Sequence, residues 1–511
     1  MGKGLRRLLL LTVSILAVAL LSEGAYRVKL HFDVPHPPAT GTTFEIYGVG
    51  ESTLVGEPFE PKISVPRMLE YMFGGHIAGR AIEVKNLAER GSPLYPQSVA
   101  FERAVVSRDA REPGVVLIMS GHNEGILPGT SAGAPGLSVL SRVAEESALL
   151  GDAILALRRR RLISRERTMA TYEYYLRRVI ETAEQSGLVP ILATMASNIS
   201  RIEPNCDPND GVVLGSLIAH GRRLEDEGSL AAARDLYLDN VATHARSATL
   251  LYYRAGRCEE ALGNFAAARE DYWTAVDFDR RTTFGRTTRP QNELLRRLAS
   301  EYAIPLVDIV AIFEAHSPHG ILGDGLFMDG QHPSIEGYRV LADAYAQTLV
   351  DRFGARIIHP LPDVATVVSA LGFEQRDVPG ALVDAGSWLI ATAVDHPFPR
   401  DRMALAAKRF NSLIGEGDDF SAWLGIALTQ AAVRGGGLHS SSNVLSIVGA
   451  YTQSYQVPPA QLPALLRRLR EQGVDSEILD RLIVLDQART TARNTGDWVA
   501  RVAEIPGVPS N

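Results

Sequence analysis

Phe44-Glu45-Ile46-Tyr47-Gly48-Val49 runs directly into Gly50-Glu51-Ser52-Thr53-Leu54-Val55-Gly56. The first six residues read as a buried strand. The glycines that follow let the chain turn tightly and present a serine hydroxyl at the strand's carboxyl end. Four more short apolar runs, at 82–86, 115–119, 189–194 and 304–308, are bounded by turn residues. Helical patterns, such as the one over 65–73, lie between them. Strands alternating with helices predict an α/β class fold, a parallel sheet covered on both faces by helices. In such sheets ligands bind outside the carboxyl ends of the strands. Ser52, Gly91, Asn123 and Ser197 each fall just past such an end.

A second segment far along the chain completes a chemical pattern. Asp329-Gly330-Gln331-His332-Pro333-Ser334 supplies an imidazole and, three residues before it, a carboxylate. A serine hydroxyl is a poor nucleophile until a base takes its proton, and histidine is suited to that near neutral pH. Asp329 is placed to accept the other imidazole proton, which fixes the tautomer and stabilises the imidazolium. Pro333, lacking an N–H, is expected at the first position of the last helix of the domain. If the two segments meet, Ser52, His332 and Asp329 form an acyl-transfer triad.

The motifs together resemble those of the GDSL, or SGNH, hydrolases. Gly50-Glu51-Ser52, with Gly56 and Pro58, is similar to the family's Gly-Asp-Ser block. Residues 86–91, ending in Gly91, resemble the second block, and Ser120-Gly121-His122-Asn123-Glu124 the third. Asp329 to Ser334, followed by Gly337-Tyr338, resemble the fifth. The resemblance covers residues 44–351. It implies a flavodoxin-like three-layer α/β/α domain, an esterase acting through an acyl-serine, and no cofactor or metal. It also implies an oxyanion hole made by the N–H groups of Ser52 and Gly91 and the side-chain amide of Asn123. Two residues depart from the pattern: Glu51 and Glu124 stand where the family has aspartates. Ser197 and Asn198, after the fourth strand, resemble a loop near the pocket and are candidate substrate contacts. His122 is expected to point away from the site.

The domain is interrupted. Over 212–282 the chain is helical and rich in alanine. Gly221, Gly228, Ala233 and Tyr237 recur there as Gly256, Gly263, Ala268 and Tyr272, each displaced by 35 residues. This resembles the tetratricopeptide repeat, whose period is about 34, and suggests an inserted module with a protein partner. A plain helical hairpin is the alternative reading. The hydrolase-like parts are then 40–211 and 283–355. Residues 360–511 read as a helical region without chemistry, its Trp388, Trp423 and Trp498 being core or interface residues.

Lys3, Arg6 and Arg7 precede an apolar run over 8–21. This has the form of an export signal, with 1–26 acting as an uncleaved membrane anchor or as a cleaved peptide. The run is shorter than a full span of about 20 residues. The expected location is the bacterial inner membrane with the catalytic domain on the periplasmic side, or secretion if the segment is cleaved. The substrate class is then an acyl ester of a glycan or a lipid-like molecule. Hydrolysis, acyl transfer to an envelope polysaccharide, and a scaffold with a vestigial core remain open. A net charge of −7 over 511 residues gives no reason to expect nucleic-acid binding. The basic run at 158–161 reads as a solvated helix face. Cys206 and Cys258 exclude a disulfide framework and a cysteine zinc cluster, leaving one bridge or two buried thiols.

Overall fold

The computed structural model describes residues 43–106, 108, 112–125, 169–207, 209–279, 285–393, 396–434 and 462–488, with isolated positions before residue 26. Most of the expected anchor, the basic run at 158–161 and Trp498 lie outside the described residues. Among the described residues no helix is long and apolar enough to cross a membrane.

Six strands form one sheet: β1 (Thr43–Gly50), β2 (His76–Ile77), β3 (Arg80–Asn86), β4 (Gly114–Met119), β5 (Val189–Ala193) and β6 (Leu306–Val307). Their spatial order is β2-β3-β1-β4-β5-β6. Every pairing is parallel except that of β2 with β3. The fully parallel sheet expected from sequence therefore needs one correction. Ala78 and Gly79 adopt positive φ and fold a two-residue antiparallel ribbon onto the edge.

The order of the five parallel strands reverses at β1. The next strand in the chain, β3, lies on one side of it and β4 on the other. Such a switch point opens a crevice outside the carboxyl ends of β1 and β4. Ser52 and Asn123 follow those two ends.

The central strands β1, β4 and β5 are buried on both faces because their residues alternate between two cores, whereas β3 is partly exposed. Ile46, Val115, Leu117 and Met119 join one core with Met68 and Leu69 of α2 (Val65–Met72). Tyr47, Val49, Val116 and Ile118 join the other, with Leu94 and Phe101 of α3 (Leu94–Val105) and Leu176 of α4 (Met169–Gln185). The short helix α1 (Ser52–Val55) sits at the switch point.

The insertion after β5 holds four helices, α5 (Asp210–Asp226), α6 (Leu230–Asp239), α7 (Ala248–Ala261) and α8 (Phe265–Asp277). The 35-residue spacing has a structural counterpart here. Gly221 of α5 lies against the ring of Tyr237, and Gly256 of α7 against that of Tyr272. Each tyrosine donates its hydroxyl to a glutamate on the preceding helix, Tyr237 to Glu225 and Tyr272 to Glu260, both at 2.7 Å. Glycine at these positions allows the close approach, and the aromatic ring fills the seam.

After α9 (Arg289–Glu301), β6 and α10 (Ile309–Ala315), the chain forms α11 (Ile335–Phe353). The C-terminal helices follow: α12 (Val364–Ala370), α13 (Val378–Ala391), α14 (Arg400–Asn411), α15 (Asp419–Arg434) and α16 (Leu462–Glu471). They build a core of their own around Leu389, Phe410 and Leu428, while Ala381 and Ala385 of α13 join the core of the sheet domain. Trp423 lies in that C-terminal core under the Arg481 guanidinium. Both cysteines are free and buried, which removes the disulfide alternative.

Candidate active site

The two segments that open and close the domain meet. His332 Nε2 lies 2.7 Å from Ser52 Oγ, across 280 residues of chain. His332 Nδ1 lies 2.7 Å from Asp329 Oδ2. The other carboxylate oxygen, Oδ1, accepts from the N–H groups of Gln331 and His332, both at 2.9 Å. Asp329 is therefore held from two directions and cannot swing away from the ring. All three groups are nearly sealed: Ser52 is 3% exposed, His332 2% and Asp329 1%.

The loop carrying Asp329 and His332 closes on itself. Met328 N–H donates to the carbonyl of His332 at 2.8 Å, and Ser334 N–H to that of Leu326 at 2.9 Å. Pro333 is not the first helical residue, as the sequence suggested. Ser334 is the N-cap of α11, its hydroxyl accepting from Gly337 N–H, and Pro333 lies before it. A serine oxygen satisfies an orphan donor that a proline cannot, so the helix starts two residues later.

Glu51 explains how a longer carboxylate serves beside the nucleophile. It is fully buried and accepts from the N–H groups of Gly121 (2.9 Å), His122 (3.1 Å) and Asn123 (3.1 Å), and from the Ser120 hydroxyl. Its extra methylene spans from β1 to the loop after β4 and fixes the backbone of Asn123. Glu124 in turn accepts from Leu94 N–H at 2.7 Å and from the Ser120 hydroxyl at 2.9 Å, tying that loop to the start of α3. Burial, and then the neighbouring Glu124 charge, push Glu51 up to about 7 against the pull of its N–H donors.

Gly91 adopts φ +65°, with open space where a Cβ would project. Just before it, Glu89 N–H donates to the carbonyl of Gly50 at 3.2 Å, which keeps this turn at the end of β1 beside Ser52. His122 Nδ1 accepts from Thr287 N–H at 3.2 Å.

Ser197 and Asn198, the candidate contacts, lie behind the histidine loop in the fold. Both are fully buried, and Asn198 donates from its side-chain amide to the Asp329 carbonyl (3.2 Å) and from its N–H to that of Gly330 (3.0 Å). Asn198 braces the histidine loop from behind. The Arg286 guanidinium donates to the Asn198 carbonyl at 3.2 Å and pairs with Asp279 at 2.9 Å.

No protein-family model matches the chain, and no curated protein matches it. Among solved structures, a GDSL-like lipase from Bacteroides thetaiotaomicron overlays with a TM-score of 0.30 and 11% identity, over 64% of this chain and 97% of the lipase. A Bacillus subtilis protein solved as a structural-genomics target overlays with a TM-score of 0.29 and 16% identity, over 63% of this chain and 58% of its own. Similarity at that level is slight, and the chemistry has to be read from the site itself.

Sequence reasoning missed the C-terminal contribution. Trp388, expected as core or interface, sets its ring perpendicular to the His332 imidazole with centroids 5.9 Å apart. Asp384, one turn earlier on α13, is pushed up to about 6 by burial and then by the Glu57 charge, against the pull of Arg90 and His332. A polar residue and a tryptophan four apart on an otherwise apolar helix share a face, and that was the available signal. Arg409 of α14 donates to the carbonyls of Phe327 and Met328, both at 2.9 Å, and so grips the histidine loop. Glu57 was also missed. Its Oε2 stands 3.7 Å from His332 Nε2.

Burial alone would depress His332. The Asp329 carboxylate, and then Glu57, outweigh it and hold the imidazole up at about 9, with Arg90 opposing. Among the described residues no cluster of three or more histidine, cysteine or carboxylate side chains forms a metal site.

Proposed function

We propose that this chain is a serine esterase of the SGNH/GDSL type, hydrolysing acyl esters through an acyl-serine intermediate. The supporting observation is the unbroken relay from Ser52 Oγ to His332 Nε2 and from His332 Nδ1 to Asp329, each link 2.7 Å. Ser52 Oγ attacks the ester carbonyl as His332 takes its proton. The oxyanion is met by the N–H groups of Ser52 and Gly91 and by the Asn123 amide, each such donor contributing about 3 kcal/mol of transition-state stabilisation. His332 then protonates the leaving alcohol, and water reverses the sequence to free the acid. The chemistry takes no metal or organic cofactor.

The basic residues and apolar run at the N-terminus support a membrane-anchored enzyme with its catalytic domain outside the cytoplasm. The paired hairpins α5–α8 support a tetratricopeptide-like module for a protein partner. A second enzymatic reading keeps the same relay and replaces water by a glycan hydroxyl as the acyl acceptor.

The deciding experiment labels the purified chain with a fluorophosphonate probe and compares Ser52→Ala. The expected outcome is labelling and short-chain ester turnover that both vanish in the variant. Absence of serine-dependent labelling and of turnover would sink both enzymatic readings.

A further inference from the structure

Glu57 follows Ser52 by little more than one helical turn, yet both reach the same nitrogen of His332. The short helix α1 ends at Gly56, whose φ of +111° only glycine adopts comfortably, and a Cβ there would strike the Ile63 carbonyl. The turn brings Glu57 back over the nucleophile. Its N–H donates to the Ser52 carbonyl at 3.1 Å, and its carbonyl accepts from the Tyr338 hydroxyl at 2.8 Å. Tyr338 is fully buried on α11, so the backbone of Glu57 is fixed from both sides. The carboxylate itself is partly exposed, with Oε2 3.7 Å from His332 Nε2 and 3.6 Å from Arg90 Nε. Both distances exceed a hydrogen bond, which leaves its lone pairs able to accept one. Trp388 covers another side of the imidazole.

Resting on the serine-esterase reading, we propose that Glu57 is the positioning residue for the water that removes the acyl group. Once Ser52 is acylated, Nε2 no longer faces a serine hydroxyl proton. A water between Nε2 and Glu57 donates one hydrogen to each. As its oxygen bonds to the acyl carbon, the hydrogen facing Nε2 moves to the imidazole. The carbon–Oγ bond then breaks, and Oγ takes the proton back from Nε2. Glu57 accepts a hydrogen bond throughout and gains no proton, so atoms and charge balance. Acylation uses Ser52 itself as the proton donor to His332 and does not need Glu57.

The groups facing His332 besides Glu57 are Asp329 on its own loop, Arg90 after β3, and Asp384 on α13. Removing the Glu57 charge lowers the imidazole's proton affinity, which favours the neutral base that both half-reactions need, while loss of the carboxylate that holds the water slows deacylation alone. The two half-reactions are therefore expected to part, with deacylation falling and acylation not. A purely structural role for Glu57 would lower both.

The test uses the full chain with p-nitrophenyl acetate, following the burst and the steady state, alongside the rate of fluorophosphonate labelling. In Glu57→Gln we expect labelling at least as fast as in the parent, a retained p-nitrophenol burst, and steady turnover slowed about tenfold or more. Hydroxylamine, a stronger nucleophile, is expected to restore release of the acyl group. Parental burst and steady rates in the variant, or equal losses in both steps, overturn the proposal. Glu57→Ser also removes the carboxylate and reads the same split if the glutamine variant misfolds. A parent that shows neither burst nor serine-dependent labelling instead defeats the serine-esterase reading, so the two failures are distinct.

Discussion

The inserted hairpins α5–α8 and the C-terminal helices α13 and α14 are both helical additions to the sheet domain, but they touch different layers of the site. The insertion stands behind it. Arg201 pairs with Glu260 of α7, Tyr253 donates to the Ser200 carbonyl at 3.2 Å, and the segment just after the insertion holds His122 and Asn198. The C-terminal helices stand at its front, with Trp388 against His332, Asp384 near Glu57 and Arg409 on the histidine loop. Lying closest to the reaction is thus the region that reads from sequence as having no chemistry. The insertion contacts the loop after β5 that braces the histidine loop.

The largest effect expected to sharpen this contrast is on pH. His332 acts as base only when neutral, and it is held at about 9. Below that value the imidazole is protonated, so kcat/KM for ester acylation is expected to rise with pH and level off above about 9. At pH 7, two units lower, it should be down about a hundredfold. Removing a front-side charge by Asp384→Asn should move the midpoint down. Removing an insertion charge by Glu270→Gln should leave it in place. A pH–rate profile of the three proteins measures this. Equal midpoints throughout would erase the distinction between front and rear.

How far this was legible depends on how local the determinants are. The five parallel strands announce themselves because each is a short apolar run between turn residues. The antiparallel β2 is two residues long and owes its place to the positive φ values of Ala78 and Gly79, which no periodicity betrays. Ser52, Asp329 and His332 are readable because glycines and a proline punctuate them within a few residues. Pro333 misled by two positions, since the choice of helix start fell to the Ser334 hydroxyl. Ser197 and Asn198 read as candidate contacts from their resemblance to a loop near the pocket, and the bond from Asn198 to the backbone of the histidine loop is not legible in that resemblance. Asp384 and Trp388 share a face of α13, but nothing local says that this face meets His332; the packing of α13 on the sheet domain brings them there, while Glu57 is brought by the turn at Gly56.

A smaller effect is expected at Trp388. Trp388→Ala removes the ring that shields one side of His332 without touching a hydrogen bond of the triad. Activity should fall about tenfold, and the preference among esters of different alcohols should shift, because the ring beside the imidazole is gone. Comparing kcat/KM across a short series of p-nitrophenyl and glycan acetates checks it. A uniform loss with unchanged ranking would place Trp388 with the structural residues of the C-terminal core.

The smallest catalytic effect belongs to the insertion, and its two hairpins offer an internal control. A Cβ at Gly221 would drive into the Tyr237 ring and hydroxyl, whereas one at Gly256 would meet Tyr272 at 3.0 Å. Overpacking of this kind costs about 1–3 kcal/mol. Gly221→Ala should therefore lower the thermal midpoint more than Gly256→Ala. Both should leave kcat unchanged at temperatures where the chain stays folded, because the seam they disturb lies within the insertion. The ordering follows from geometry alone, since the exchanged atoms are the same. A loss of kcat in the folded Gly256→Ala protein would mean that strain in the rear wall reaches Asp329 through Arg286 and Asn198, and the insertion would then act on the chemistry after all.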